Sequence, residues 1–174
     1  SLSLGNTTLM TQVGVSVEAL RNEAEQLRSE GASVFYLAVD GQFAGLLAVA
    51  DPIKTTTPEA LKTLAESGIK VVMATGDGLT TAKSVGAKLG ISEVYGEVKP
   101  QDKLNLVESL QKQGYVVAMA GDGINDAPAL ARADLGIAMG SGADIAMEAG
   151  GIVIMKSDLN DVVTAIELSR ETVK

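Results

Sequence analysis

Two rhythms of apolar and polar residues divide this chain. In residues 16–30 (SVEALRNEAEQLRSE), Val17, Leu20, Ala24 and Leu27 recur at helical spacing on one face, which predicts an amphipathic helix with Ser16 as N-cap and Gly31 just past its end. Two strand-like runs follow, ASVFYLAV and QFAGLLAV, joined by Asp40-Gly41, the pair that favours a two-residue type I′ turn. A β-hairpin is expected there. The segment DPIKTTTP then breaks the pattern with a proline and a threonine cluster, which places a hinge near residues 50–55.

From Thr57 onward helices alternate with strands. Helical spacing marks PEALKTLAES, with Pro58 at its first position, then LTTAKSVGAKL and PQDKLNLVESLQKQ. Apolar runs mark strands at IKVVMA, EVYGEV, YVVAMA, LGIAM and GIVIM, with short helices on either side of LGIAM and a closing helix from about Asp158. Runs that do not alternate indicate strands buried on both faces. The expected architecture is therefore an α/β fold, a Rossmann-like parallel sheet with helices on both faces, preceded by a small N-terminal α+β piece that contains the hairpin.

Composition narrows the chemistry. The 174 residues contain neither cysteine nor histidine, which removes disulfides, zinc sites of the usual composition and Ser-His-Asp catalysis. A formal charge of −8, from 22 acidic and 14 basic residues, argues against a nucleic-acid partner. The longest apolar run, FAGLLAVA, is too short to span a bilayer, and the N-terminus lacks the basic flank of a signal peptide. By itself the chain reads as cytosolic.

In parallel sheets ligands bind beyond the carboxyl ends of the strands. IKVVMA runs into Thr75-Gly76-Asp77-Gly78, and YVVAMA runs into Gly121-Asp122-Gly123-Ile124-Asn125-Asp126. Between them, Lys99 and Lys103 open a helix at the end that disfavours cations, which points to an anion nearby. A hydroxyl, a lysine and paired carboxylates at one rim suit phosphoryl transfer assisted by Mg²⁺, where positioning and charge stabilisation carry the catalysis. Each part alone has a plainer reading: TGDG as a turn, Lys103 as a solvated helix residue, GDGIND as a turn followed by an N-cap. Their coincidence at successive strand ends favours the chemical reading.

The ordered set MATGD (73–77), KPQDK (99–103) and GDGINDAPALARADLGIAMGSGADIA (121–146) resembles the phosphorylation domain of P-type ATPases, members of the haloacid dehalogenase-like superfamily. GNTTLM (5–10), AVADPIK (48–54) and IVIMKSDLNDVVTAIELSR look like the heavy-metal branch, most like copper-transporting pumps. The resemblance implies that residues 1–50 are the C-terminal part of a nucleotide-binding domain. Residues 51–174 would then be a phosphorylation domain without its first strand and its DKTGT motif, which occurs nowhere in the sequence. That strand would lie between those ending at Thr75 and Asp122, so its loss should interrupt the sheet.

Carried over by resemblance, Thr75 and Gly76 face the phosphoryl group, Lys103 neutralises its oxygens and Asn125 hydrogen-bonds it. Asp122 and Asp126 hold Mg²⁺, while Gly5, Asn6, Asp77 and Gly78 lie on the nucleotide side. ATP and Mg²⁺ are the implied cofactors. The implied partners are an upstream segment with DKTGT, an actuator domain and transmembrane helices, so the chain would be the cytoplasmic portion of an integral membrane protein. The expected function is a catalytic fragment of a Cu⁺-exporting pump. The alternatives are a non-catalytic regulatory or interaction fragment, and a pump for another heavy-metal ion. The lone chain, lacking the phosphorylated aspartate, is expected to be inactive.

Overall fold

The computed structural model describes residues 1–121, 124–140, 152–154 and 158–172. The chain forms two compact units, Ser1–Ile53 with Val72–Glu97, and Lys54–Val71 with Val98–Lys174.

The first unit is built on an antiparallel sheet of β1 (Leu2–Gly5), β2 (Ser33–Val39) and β3 (Gln42–Val49), in that order. Asp40 (φ 50°) and Gly41 (φ 75°) both take positive φ, as a type I′ turn requires. Strand alternation turns Val34, Tyr36 and Ala38 inward, where they meet Met10 of helix α1 (Thr7–Gln12) and Ala24 of α2 (Arg21–Ser29). The helix expected from Ser16 starts later than the pattern suggests. Val15 and Val17 are drawn into this core, Val17 leaves the helical region (φ −109°, ψ 5°), and a 3₁₀ turn at Glu18–Leu20 precedes α2. Apolar periodicity was right about the buried face, but core packing sets the boundary.

Strands β4 (Val72–Ala74) and β5 (Glu93–Tyr95) pair in parallel, connected by α4 (Leu79–Leu89), which packs against α2. Thr81 Oγ1 donates to the Ala32 carbonyl and Ser84 Oγ to the Ser29 carbonyl, both at 2.7 Å. The Ser29 carbonyl is one of those at the end of α2 without a partner within the helix, and the Ala32 carbonyl lies in the connection to β2.

The second unit contains α3 (Thr57–Glu66), α5 (Pro100–Lys112), β6 (Ala118–Gly121), α6 (Ala127–Arg132), β7 (Leu135–Met139), β8 (Ile152–Ile154) and α7 (Leu159–Thr172). Strands β6, β7 and β8 form a parallel sheet in that order. Successive residues of β7 point to opposite faces. Ile137 packs with Val162 and Ala165 of α7, and Ala138 with Leu130 of α6, so helices cover both sides of this strand. Helix α7 also packs on α3, just before which Thr56 Oγ1 donates to Asp158 Oδ1 at 3.2 Å.

Strand β6 departs from the expectation of burial on both faces. It starts only at Ala118, and Val116 is 88% exposed. The parallel strands form two sheets, of two and three strands. Each of β4 and β6 has an edge without a partner among the described residues, and an edge strand buries less than a central one. The short helix expected after LGIAM falls in residues 141–150, outside the described residues.

Candidate functional site

At the carboxyl end of β6, the chain passes Gly121 and makes a 3₁₀ turn, Ile124–Asp126, before α6 begins with Pro128 in its first turn. Nearby, α5 starts at Pro100, and Asp102 Oδ2 accepts the Lys99 N–H at 3.0 Å, which fixes the first turn. One turn on, Lys103 Nζ donates to Asp126 Oδ1 at 2.6 Å, with only 16% and 7% of the two side chains exposed. A cation near a helix N-terminus requires a compensating anion, and Asp126 supplies it. This is a short, charge-assisted contact largely shielded from water. Asn125, beside it, is exposed, and Asp122 lies outside the described residues. Among the described residues no group of three or more acidic, histidine or cysteine side chains forms a metal site.

In the first unit β4 ends at the loop Thr75-Gly76-Asp77-Gly78. Thr75 N–H donates to the Tyr95 carbonyl at 3.0 Å, which ties the loop to β5. Thr75 Oγ1 donates to Asp77 Oδ2 at 2.9 Å and accepts the Asp77 N–H at 3.1 Å. Ser33 Oγ donates to the other Asp77 oxygen at 2.9 Å. The hydroxyl that the sequence assigns to a phosphoryl group is thus turned onto Asp77 here.

A cavity of about 520 Å³ opens beside this loop, lined among others by Asn6, Arg28, Ser33, Gly76, Asp77 and Gly78. Asn6 Oδ1 accepts the Leu9 N–H at 3.0 Å and so caps α1. Gly5 does not line the cavity; a Cβ there would come 2.4 Å from Leu9 Cδ2. Three of the four residues assigned to the nucleotide side therefore share one cavity.

Sequence reasoning missed the charged wall of that cavity. Glu25 accepts from Thr80 Oγ1 at 2.7 Å; this bond, opposed by burial and aided by Arg28, holds its carboxyl below the usual range. Burial works against the charge of Arg28, yet the Tyr36 hydroxyl, which accepts from Nη2 at 3.2 Å, and Glu25 raise its pKa. Arg28 looks in the sequence like any solvated residue of an amphipathic helix. Nothing short of the tertiary fold marks it.

The fold finds its counterpart among known proteins. The family model of haloacid dehalogenase-like hydrolases matches residues 1–134, and the chain belongs to that family. It is similar to heavy-metal P-type ATPases. It is 48% identical over 173 residues to a copper-transporting P-type ATPase of Rhizobium leguminosarum bv. viciae, covering 99% of this chain and 21% of the relative. A silver exporting P-type ATPase of Salmonella typhimurium is 48% identical over 171 residues, covering 98% and 21%. Among solved structures, a zinc-transporting PIB-type ATPase in its E2.Pi state superimposes with a TM-score of 0.73 at 32% identity, over 98% of this chain and 27% of that one. The chain spans about a fifth of the length of the curated relatives named here.

Proposed function

We propose that this chain is the cytoplasmic ATP-hydrolysing part of a Cu⁺-exporting P-type ATPase, in which it stabilises formation and hydrolysis of an aspartyl phosphate. The observation that carries this reading is the shielded Lys103–Asp126 pair at a parallel strand's carboxyl end. A lysine held there is a fixed positive charge for phosphoryl oxygens, restrained before the ligand arrives. Asn125, exposed beside it, offers a hydrogen-bond donor to the same group. Thr75 releases Asp77 to donate its hydroxyl, and the flexible backbone at Gly76 permits close approach. Asn6, Asp77 and Gly78, which share the cavity, contribute to holding ATP, residues 1–50 acting as the end of the nucleotide-binding domain and 51–174 as the phosphorylation domain.

The donor chemistry fits Mg²⁺, because Asp126 is an oxygen ligand of the hard type this ion prefers and lies four residues from the carboxylate of Asp122. Asp122 and Asp126 would hold the ion, which supplies charge neutralisation at the transferred phosphoryl group. The proposed partners are the segment carrying DKTGT, the actuator domain and the transmembrane helices of the parent pump. Silver- and zinc-pumping relatives support a second reading, in which the same machinery drives another heavy-metal ion.

The test is covalent labelling. With Mg²⁺ and labelled ATP, the chain alone should form no hydroxylamine-sensitive phosphoenzyme, since DKTGT is absent. A separate polypeptide carrying that motif should restore labelling, and Lys103→Ala should weaken it. Labelling of the chain by itself would refute the assignment of its residues. Persistent silence with the added segment would favour a non-catalytic fragment.

A further inference from the structure

Gly121 is the last residue of β6, and it has φ in the ordinary range, so no turn demands a glycine there. Its surroundings do. A Cβ at this position would stand 2.6 Å from Asp126 Oδ2, 2.7 Å from Asp126 Cβ and 2.8 Å from Asp126 Cγ. All three nearest atoms belong to one side chain, and that side chain is buried and held by Lys103. Contacts under 3 Å to carbon are not tolerated in a packed interior. Asp126 cannot easily yield, because its Cβ is fixed by the 3₁₀ turn and its Oδ1 by the lysine.

From this we infer that Gly121 is a positioning residue: the missing side chain is the space into which the Asp126 carboxylate folds back to meet Lys103. The inference rests on the reading of that pair as part of the phosphoryl site, but its geometry is testable without chemistry. A methyl at 121 has two ways out. Either Asp126 swings away, which breaks the pair and frees the lysine, or the end of β6 shifts, which moves the turn that carries Asp126. Both lower the occupancy of the 2.6 Å contact. The cost is specific to Asp126, because its own Cβ and carboxylate make the clash; with glycine at 126 the obstruction disappears.

The experiment uses the 174-residue chain as wild type, Gly121→Ala, Asp126→Gly and the double variant. Each is treated with an amine-acetylating reagent, and modification of Lys103 is read by mass spectrometry against Lys62, whose side chain is 75% exposed. Wild-type Lys103 should react slowly. Gly121→Ala should raise its rate about fivefold, the population shift expected for an interaction of ordinary strength, while Lys62 does not change. In the Asp126→Gly background the same alanine should add nothing. If Gly121→Ala alone fails to fold, the double variant should fold as well as Asp126→Gly does, since the clash has been removed. Unchanged Lys103 protection in a folded Gly121→Ala would overturn the inference, as would an additive effect, or a double variant that unfolds where Asp126→Gly alone folds. Failure of the phosphoryl reading appears elsewhere, as absent labelling by ATP when DKTGT is supplied, so the two outcomes are separable.

Discussion

Replacing Lys103 by Met keeps the methylene stem and removes the charge, leaving the Asp126 carboxylate, 7% exposed, without its cation. Removing one partner of a buried pair costs about 3–5 kcal/mol; the 16% exposure of Lys103 admits some water, so about 2–3 kcal/mol is expected here. Methionine and lysine have similar helix propensity, so the loss does not come from α5 itself. The measurement should read the second unit alone, because a global transition of two units need not be two-state. Hydrogen exchange at the amides of Val107 and Leu130, buried residues of α5 and α6, does this. Lys62→Met, which removes an exposed partner of Glu66 at 3.8 Å, is the control and should change stability by no more than about 0.5 kcal/mol. Adding Asp126→Asn to Lys103→Met should recover about 1 kcal/mol or more, since an amide is cheaper to bury unpaired than a carboxylate. A loss at Lys103 no larger than the control's would show that water screens the pair and that the site is not pre-organised.

Asp134 accepts the Val117 N–H at 2.8 Å and a Gln111 Nε2 hydrogen at 3.0 Å, which hold its carboxyl below the usual range. A depressed folded pKa adds stability that is complete above about pH 4 and is lost as pH falls through the folded value; Asp134→Ala should therefore weaken the second unit at neutral pH and flatten its acid unfolding limb. An unchanged acid limb in the variant would rule this out. Residues 50–54 form neither helix nor strand, and Lys54 is exposed, so limited trypsin treatment under native conditions should cut first after Lys54. First cleavage after Lys70 would contradict a hinge at this boundary.

What the sequence reveals depends on whether the cause is local. Asp40-Gly41 dictates its own turn through the positive φ that those residues tolerate, and the hairpin follows from it. Helices α4 and α5 were legible from spacing, with Gly90 in the left-handed conformation closing α4. The start of α2 was not, because Val17 obeys the core and not the helix. Nor was the exposure of Tyr115 and Val116 in YVVAMA, since an apolar run cannot say whether a neighbouring strand exists to cover it. Strand β1 and helix α1 gave no periodic signal, being four and six residues long. Lys103 and Asp126, 23 residues apart, were linked by their motifs, and the fold puts them in contact. The cavity wall at Glu25 and Arg28 arises only when α2 meets α4, a pairing that no local pattern encodes.

The strand connections also determine how soon each part of the chain can take shape. Strands β2 and β3 need only Asp40 and Gly41 between them, and hairpins of this kind close in about 1–10 μs. Strands β6 and β7 cannot pair until the thirteen residues from Asp122 to Asp134, α6 included, have found their course. Loop-closure entropy is spent there before any ladder bond is made, which delays parallel pairs relative to local ones. A refolding chain should therefore gain antiparallel structure first, and the Lys103–Asp126 contact, which depends on that crossover, should be among the last features to appear.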